Sequence, residues 1–432
     1  MKIKNLVLEQ VHLKHILVLI FSWLVTRILV SFIFDFSESY TGGDGVYYFE
    51  VARNILASGS HITDAGKPFI RAPLYSFFVA SILFIKDSQP LFFVIQSLLF
   101  LIIPVSIYLY LKKFNTNAAL LCSFLVCISP FDALYNGRVL AETLVTVFLC
   151  TGSIMFLSKR WLLSGILLGA AALTRNIYFL LPFLFLFIAL FTKTNKKSLL
   201  VFLMGFLLVI SPWVIRNSLE EEGGFFISDG EIFWLNLFVG TYMTSIKDDL
   251  DIKDMTSIKD DLPEYNSSYV PRVIFEKHNL DMTEEEVKEK FLKSKENQEF
   301  FREKTLKYMK ENPVDLIFTW IKRAPQMWLG TRTDLVNWTI ERETSLWYSI
   351  KAFFYLMNLM FLSFSLLGLY ACLKSHRYSL FLITPIIYNA LIYIPFYNIE
   401  TRFSQPIYPL LLIFSGFGMI YIYQKYKGGE TI

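Results

Sequence analysis

The sequence predicts an all-α polytopic membrane protein, a bundle of about ten transmembrane helices. Three observations carry this reading. First, 54% of the 432 residues are hydrophobic and only 18% are charged, whereas an average soluble domain carries about 25% charge; mean hydropathy is +0.46. Second, the apolar residues come in blocks, several of them near the ~20 residues a helix needs to cross a bilayer. Third, Lys and Arg sit in short clusters between the blocks, as cytoplasmic loops of membrane proteins do.

The first block, 13–34, follows Lys2, Lys4 and Lys14. It is too long for a signal-peptide core and no small-residue cleavage site follows, so it reads as a retained helix. Further spans are expected at 90–111, 117–130, 140–157, 161–174, 177–191, 198–215, 346–372, 378–396 and 405–424. With these spans, Lys112/Lys113, Lys159/Arg160, Lys193/Lys196/Lys197, Lys374/Arg377 and Lys425/Lys427 all fall on the side of the N-terminal lysines. Both termini are then cytoplasmic, and an inner (plasma) membrane is the expected location. Pro73–Ile85 is apolar but short, and a full crossing there would invert the charge pattern. It is expected to be a half-buried or interfacial helix on the outer face.

The spans divide the chain into an N-terminal transmembrane region, 1–216, an external and partly helical loop region, 217–345, and C-terminal transmembrane helices, 346–432. Within the first region, loop 35–89 faces outward. Tyr48, Val51, Ala52, Ile55 and Leu56 recur at helical spacing with Glu50, Arg53 and Asn54 opposite, and Gly59 suits a C-terminal cap. A short helix lying in the membrane surface is expected there. In the second region, Thr283 and Glu286 form a capping box opening a charged helix that ends before Pro313. Segment 314–329 is apolar but interrupted by Lys322, Arg323 and Pro325, and reads as interfacial. TSIKDDL occurs at 244–250 and 256–262. A local duplication in a solvated acidic loop accounts for it, because the glycine and terminal glutamate of a calcium loop are missing.

Several function classes drop out. A net charge of +4, spread in topological clusters, does not describe a nucleic-acid surface. Cys122, Cys127, Cys150 and Cys372 all lie inside apolar blocks and read as small buried hydrophobes. The five histidines show no metal spacing. No cofactor and no metal are expected.

Asp44, Arg71, Arg138, Glu142, Arg175, Arg216, Glu400 and Arg402 all fall in outer loops or at outer helix ends. Charge near membrane depth is costly and is kept for pairing or function. Arginines on the outer side also run against the positive-inside trend. Arginine binds phosphate through a fixed fork of donors, and a carboxylate takes a proton from an attacking hydroxyl. A lipid phosphate held beside a base fits this set, with the tail between helices.

Five stretches carry a resemblance: TGGDGVYYFEVARNILASG with RAPLYSFF, ISPFDALYNGRVLAETL, ALTRNIYFLLP, ISPWVIRN and ETRFSQPIYPLL. In this order they resemble the GT-C superfamily of membrane glycosyltransferases, related to protein O-mannosyltransferases and aminoarabinose transferases, with the RgtA/B/C/D-like branch nearest. The resemblance covers about 13–220 and 346–424. It implies a GT-C-type bundle with outer-face juxtamembrane helices and a polyprenyl-phosphate sugar donor. It further implies inverting transfer to a lipid, glycan or protein acceptor at the outer face. Asp44 matches the acidic residue of the first loop, the general base of the group, and Glu142 the acidic position of the second. Tyr47, Tyr48, Arg71, Arg138, Arg175, Arg216, Glu400 and Arg402 are the expected substrate-binding residues. Gly45 stands where mannosyltransferases carry a second acidic residue.

Plainer roles fit the same residues one by one. Asp44 suits a helix N-cap, and Glu142 a helical pair with Arg138 one turn earlier. Arg175 and Arg216 suit snorkelling, Glu400 and Arg402 a surface pair, and Tyr47 and Tyr48 interfacial aromatics. Arg27, inside the first span, suits snorkelling or pairing with a neighbouring helix. Two other functions compete: a transporter or flippase of lipid-linked saccharides, against which no midplane acid or repeated half is visible, and a non-catalytic subunit that binds lipid-linked glycan.

Overall fold

The computed structural model describes residues 2–34, 36, 44–64, 71–192, 194–219, 233–242, 298–329, 344–375, 380–395 and 401–427. Among the described residues every regular element is helical, as the composition predicts. The chain separates into two compact units. One comprises 1–228, 329–389 and 401–432; the other comprises 229–328 and 390–400.

The larger unit opens with α1 (Lys2–Ile33). After it come α2 (Asp44–Ser58), α3 (Leu74–Ile85), α4 (Gln89–Phe100) and α5 (Ile102–Leu111). Asn115 caps α6 (Thr116–Ile128), its side chain accepting from the Ala118 N–H at 3.0 Å. At Ser129 the chain bends by 49° into α7 (Pro130–Asn136). Pro130 has no N–H to lose at the start of a helix, and the Ser129 hydroxyl caps the new one. There follow α8 (Glu142–Leu157), α9 (Trp161–Thr174), the 3₁₀ helix η1 (Asn176–Leu180), α10 (Leu181–Phe191) and α11 (Lys196–Ser218). Beyond the smaller unit come α15 (Ser345–Ser375), α16 (Leu380–Tyr393), the 3₁₀ helix η2 (Thr401–Ile407) and α17 (Tyr408–Tyr426). The smaller unit contributes α12 (Phe233–Tyr242), α13 (Gln298–Glu311) and α14 (Pro313–Leu329).

Each expected span coincides with a helix or a helix pair. Among the described residues five helices are long and apolar enough to cross a membrane alone, six if α6 and α7 count as one bent span. The helices α8, α9 and α16 and the pair η1–α10 are shorter. Nearly every residue of α8 is buried in protein, which places it at the centre of the bundle. There Phe156 meets Phe185, Phe202 and Phe381 with ring centroids 5.2, 5.1 and 4.7 Å apart.

Two helix crossings are close because glycines face each other. Between α15 and α17, a Cβ on Gly368 would strike the Phe414 carbonyl and one on Gly418 the Phe364 carbonyl. Beside them Ser365 and Ser415 share a hydrogen bond of 2.7 Å, and the Ser415 hydroxyl also reaches the Phe361 carbonyl at 2.7 Å. Gly165 and Gly205 let α9 and α11 approach in the same way. Lipid offers no hydrophobic drive between helices, so close packing and interhelical hydrogen bonds replace it.

One expectation changes. The apolar face of α2 is covered by protein rather than left to the membrane surface. Tyr48, Phe49, Val51 and Ala52 join Tyr75, Val79 and Ile82 of α3 and Phe92 of α4 in one buried cluster. Gly59 ends α2 as expected, with φ +74° and its N–H on the Ile55 carbonyl. Segment 314–329 is helical throughout: α14 runs through Pro325, with Val314, Ile317, Phe318 and Ile321 exposed along one side. The charged helix does end before Pro313, at Glu311. Its expected capping box and the TSIKDDL repeat lie outside the described residues.

Candidate functional site

Five of the candidate residues meet in one ionic network. Asp44 opens α2. Arg71 precedes α3, and Arg402 sits in η2. Glu142 opens α8, and Arg175 follows α9 where the backbone becomes extended. Arg71 Nη2 donates to Asp44 Oδ1 at 2.9 Å, and Arg402 Nη2 donates to Asp44 Oδ2 at 2.9 Å. Arg402 also turns Nε to Glu142 Oε1 at 2.8 Å, and Arg175 Nη2 donates to the same oxygen at 2.5 Å. Three guanidiniums face two carboxylates, so the network carries one net positive charge.

Burial grades across the network. The Glu142 side chain is fully buried, Arg175 is 16% exposed, and Asp44 and Arg402 are each 25% exposed. Burial by itself raises the Asp44 carboxyl, but Arg71 and Arg402, by charge and hydrogen bond, hold it well below the usual carboxylate range. Both Asp44 oxygens are occupied by arginine in this state. Glu142 differs: among the described residues its Oε2 has no hydrogen-bond partner.

Aromatic rings and buried amides hold the charges in place. The Arg71 guanidinium lies 5.2 Å over the Tyr48 ring, and Tyr48 meets Tyr75 edge-on at 4.7 Å. The Tyr75 hydroxyl donates to Gln96 Oε1 at 3.2 Å, and Gln96 Nε2 donates to the Asn136 and Arg138 carbonyls at 2.9 and 2.7 Å. Gln96 thus pins the turn that leads into Glu142. Phe403 lies 5.5 Å beneath Arg402 and 5.9 Å beneath Arg175. Asn389 Nδ2 holds the Phe403 carbonyl at 2.8 Å and accepts from the Tyr178 hydroxyl. These contacts are worth most where water is excluded.

The other candidates stand differently. Arg138 is buried in the 137–141 turn, so the helical pairing with Glu142 does not form. Glu142 takes its ion pairs from Arg175 and Arg402 on other elements instead. Arg216 lies 5.0 Å over Trp213 and donates to Asn217 at 3.0 Å. Trp213 meets the buried His61 edge-on at 5.2 Å. Burial, with Arg216 adding to it, pushes the His61 imidazole down to about 4. Tyr47 is exposed. Glu400 lies outside the described residues, and with it the expected surface pair with Arg402.

Sequence reasoning passed over Gln96, Asp132, Asn389, Phe403 and Gln405. Asp132, Phe403 and Gln405 lie inside the stretches that carry the resemblance. The available signal was chemical: an acid and three amides in or beside apolar runs, where a buried polar group needs a partner. Among the described residues no cluster of three or more His, Cys, Asp or Glu has metal-ligand geometry.

Comparison with known proteins shows the fold. The chain matches an oligosaccharyltransferase of Archaeoglobus fulgidus, solved tethered to an acceptor peptide containing an NVT sequon, with TM-score 0.54 at 13% identity. The match covers 96% of this chain and 50% of that one, so the chain spans about half the length of the archaeal protein. ArnT of Cupriavidus metallidurans, solved with undecaprenyl phosphate, matches with TM-score 0.35 at 12% identity over 94% of this chain and 77% of that one. No protein-family model and no curated protein matches the sequence. The chain thus shares its polytopic, all-helical fold with the archaeal protein.

Proposed function

We propose that the protein is an inverting glycosyltransferase that moves a sugar from a polyprenyl-phosphate donor to an acceptor at the outer face of the membrane. The observation that carries this reading is the network Arg71–Asp44–Arg402–Glu142–Arg175. Its one excess positive charge matches the single negative charge of a sugar phosphodiester. Arginine forks suit the phosphoryl oxygens, and their charge stabilises the departing phosphate as the glycosidic C–O bond breaks.

In the reaction, the acceptor oxygen attacks the anomeric carbon opposite the phosphate. The C–O electron pair leaves on the phosphate oxygen, and the acceptor proton passes to Asp44. A phosphate competes for Arg71 and Arg402, the two groups that suppress the basicity of Asp44. Donor binding therefore raises the proton affinity of the base at the moment it is needed. In this reading buried Glu142, through its ion pairs, holds Arg175 and Arg402 toward the donor phosphate. The fold shared with the archaeal protein and the five motifs that resemble the GT-C superfamily support the same reading.

The test is turnover. Purified protein is incubated with a panel of polyprenyl-phosphate sugars, and released polyprenyl phosphate is measured for wild type and Asp44→Asn. The expected result is release by wild type and a loss of ~10²–10⁴-fold in the variant. No turnover with any donor sinks the reading, and full activity in Asp44→Asn removes the base.

A further inference from the structure

A second polar group lies wholly inside the bundle and is not used by the chemistry above. Asp132, in the first turn of α7, is fully buried and accepts a hydrogen bond from Gln405 Nε2. Gln405 is itself 1% exposed. Arg27, near the C-terminal end of α1, is likewise buried, 2% exposed. Its Nη1 donates to the Cys127 carbonyl at 2.7 Å, and its guanidinium lies 5.6 Å from the Trp23 ring and 5.1 Å from that of Phe100. Its Nε and Nη2 have no hydrogen-bond partner among the described residues.

An isolated guanidinium or carboxylate at this depth is expensive, and such groups are kept with a partner and a task. Snorkelling does not describe Arg27, which is enclosed by protein. The task follows from where Gln405 stands. It is three residues after Arg402 in η2, and in a 3₁₀ helix residues i and i+3 eclipse one another. Holding the Gln405 amide therefore sets the rotation of η2 about its own axis, and with it the direction of Arg402. The grip is one-way in its chemistry. An ionised Asp132 only accepts, so it selects the NH₂ end of the amide. The Cys150 thiol adds a weak donor contact to the Pro406 carbonyl, 3.5 Å away on the next residue of η2.

We propose that Asp132 is a positioning residue. It locks Gln405, and so orients η2 to aim Arg402 between Asp44 and Glu142. This rests on the reading of Arg402 as a phosphate-binding group. It adds a part of the machinery that lies inside the bundle and touches no substrate.

The experiment uses the full chain in detergent or nanodiscs, with three variants. Asp132→Leu removes charge and acceptor, Asp132→Asn keeps an acceptor oxygen for Gln405, and Gln405→Leu breaks the link from the η2 side without touching Arg27. Hydrogen exchange is read at the amides of 401–407 and, as a control, of α9 and α11. Binding of undecaprenyl phosphate and the KM and kcat of sugar release are read beside it. In Asp132→Leu and Gln405→Leu, exchange rises in η2 alone, undecaprenyl phosphate binds more weakly, and kcat falls by about 10²-fold, the cost of a misplaced catalytic group. Asp132→Asn recovers most of both. Unchanged exchange in η2 in Gln405→Leu overturns the proposal, as does equal damage in Asp132→Asn and Asp132→Leu. If wild type itself neither binds undecaprenyl phosphate nor releases it from any donor, the glycosyltransferase reading fails. The exchange data then still decide whether Asp132 holds η2.

Discussion

At the scale of single residues, charge state decides what each group does. Asp44 is a depressed carboxylate, so its ion pairs are intact above the ordinary carboxylate range and are lost only as pH falls through its lower value in the folded protein. In kcat/KM, which reports the free enzyme, no acid limb is therefore expected above about pH 4. An acid limb near neutrality in a pH–rate profile assigns the base to another group. His61 is a depressed imidazole, with a consequence of the same sign in a higher pH window. Between its ordinary value of about 6.5 and about 4 in the folded protein, the unfolded chain binds a proton that the folded one refuses. Its contribution to stability falls as pH drops through that window and levels below it. Thermal unfolding across pH 4 to 7 is expected to show a shallower acid decline in His61→Gln than in wild type; parallel curves refute it.

At the scale of elements, short irregular pieces do the placing and long helices do the holding. The turn 137–141 is pinned by Gln96, and η2 by Asp132 and Asn389, so the charged residues rest on segments whose backbone is tied from behind. The α15–α17 pair shows what holds the frame. Ser365→Ala, which removes the interhelical hydrogen bonds to the Leu411 carbonyl and the Ser415 hydroxyl, is expected to cost about 0.6 kcal/mol for each. Gly418→Leu puts a side chain where the Phe364 carbonyl stands and is expected to cost far more, because two backbones must separate. Equilibrium unfolding in mixed detergent micelles checks both. A Gly418→Leu as stable as wild type refutes the close crossing. The helix pattern of α2 was legible from residue spacing, but what its apolar face packs against was not. Periodicity reports which side is apolar and is silent on whether lipid or protein covers it.

At the scale of the whole molecule, the proposed orientation, with the network at the outer end of the bundle, rests on the charge pattern of the loops. The four native cysteines are free and buried, so introduced thiols report alone. Asp64 and Lys197 are both exposed. Asp64→Cys is expected to react with a membrane-impermeant maleimide from outside intact cells, and Lys197→Cys only after permeabilisation. The reverse pattern inverts the topology and moves the site to the cytoplasmic face.

The sequence by itself determined that this is a helical membrane protein, where its helices run, and which residues gather at their ends. Hydropathy is a local sum over some twenty residues, and end charges can be counted, so neither needs contacts. Only the tertiary structure decided which arginine meets which carboxylate. Arg402 and Asp44 are 358 positions apart, and Gln405 and Asp132 are 273 apart. Such pairs form when packing brings loop ends together, because ionic partners are chosen by distance and dielectric rather than by spacing along the chain. The same physics turned Glu142 away from Arg138 toward Arg175. It also enclosed Arg27, whose guanidinium donates to the Cys127 carbonyl, 100 positions away.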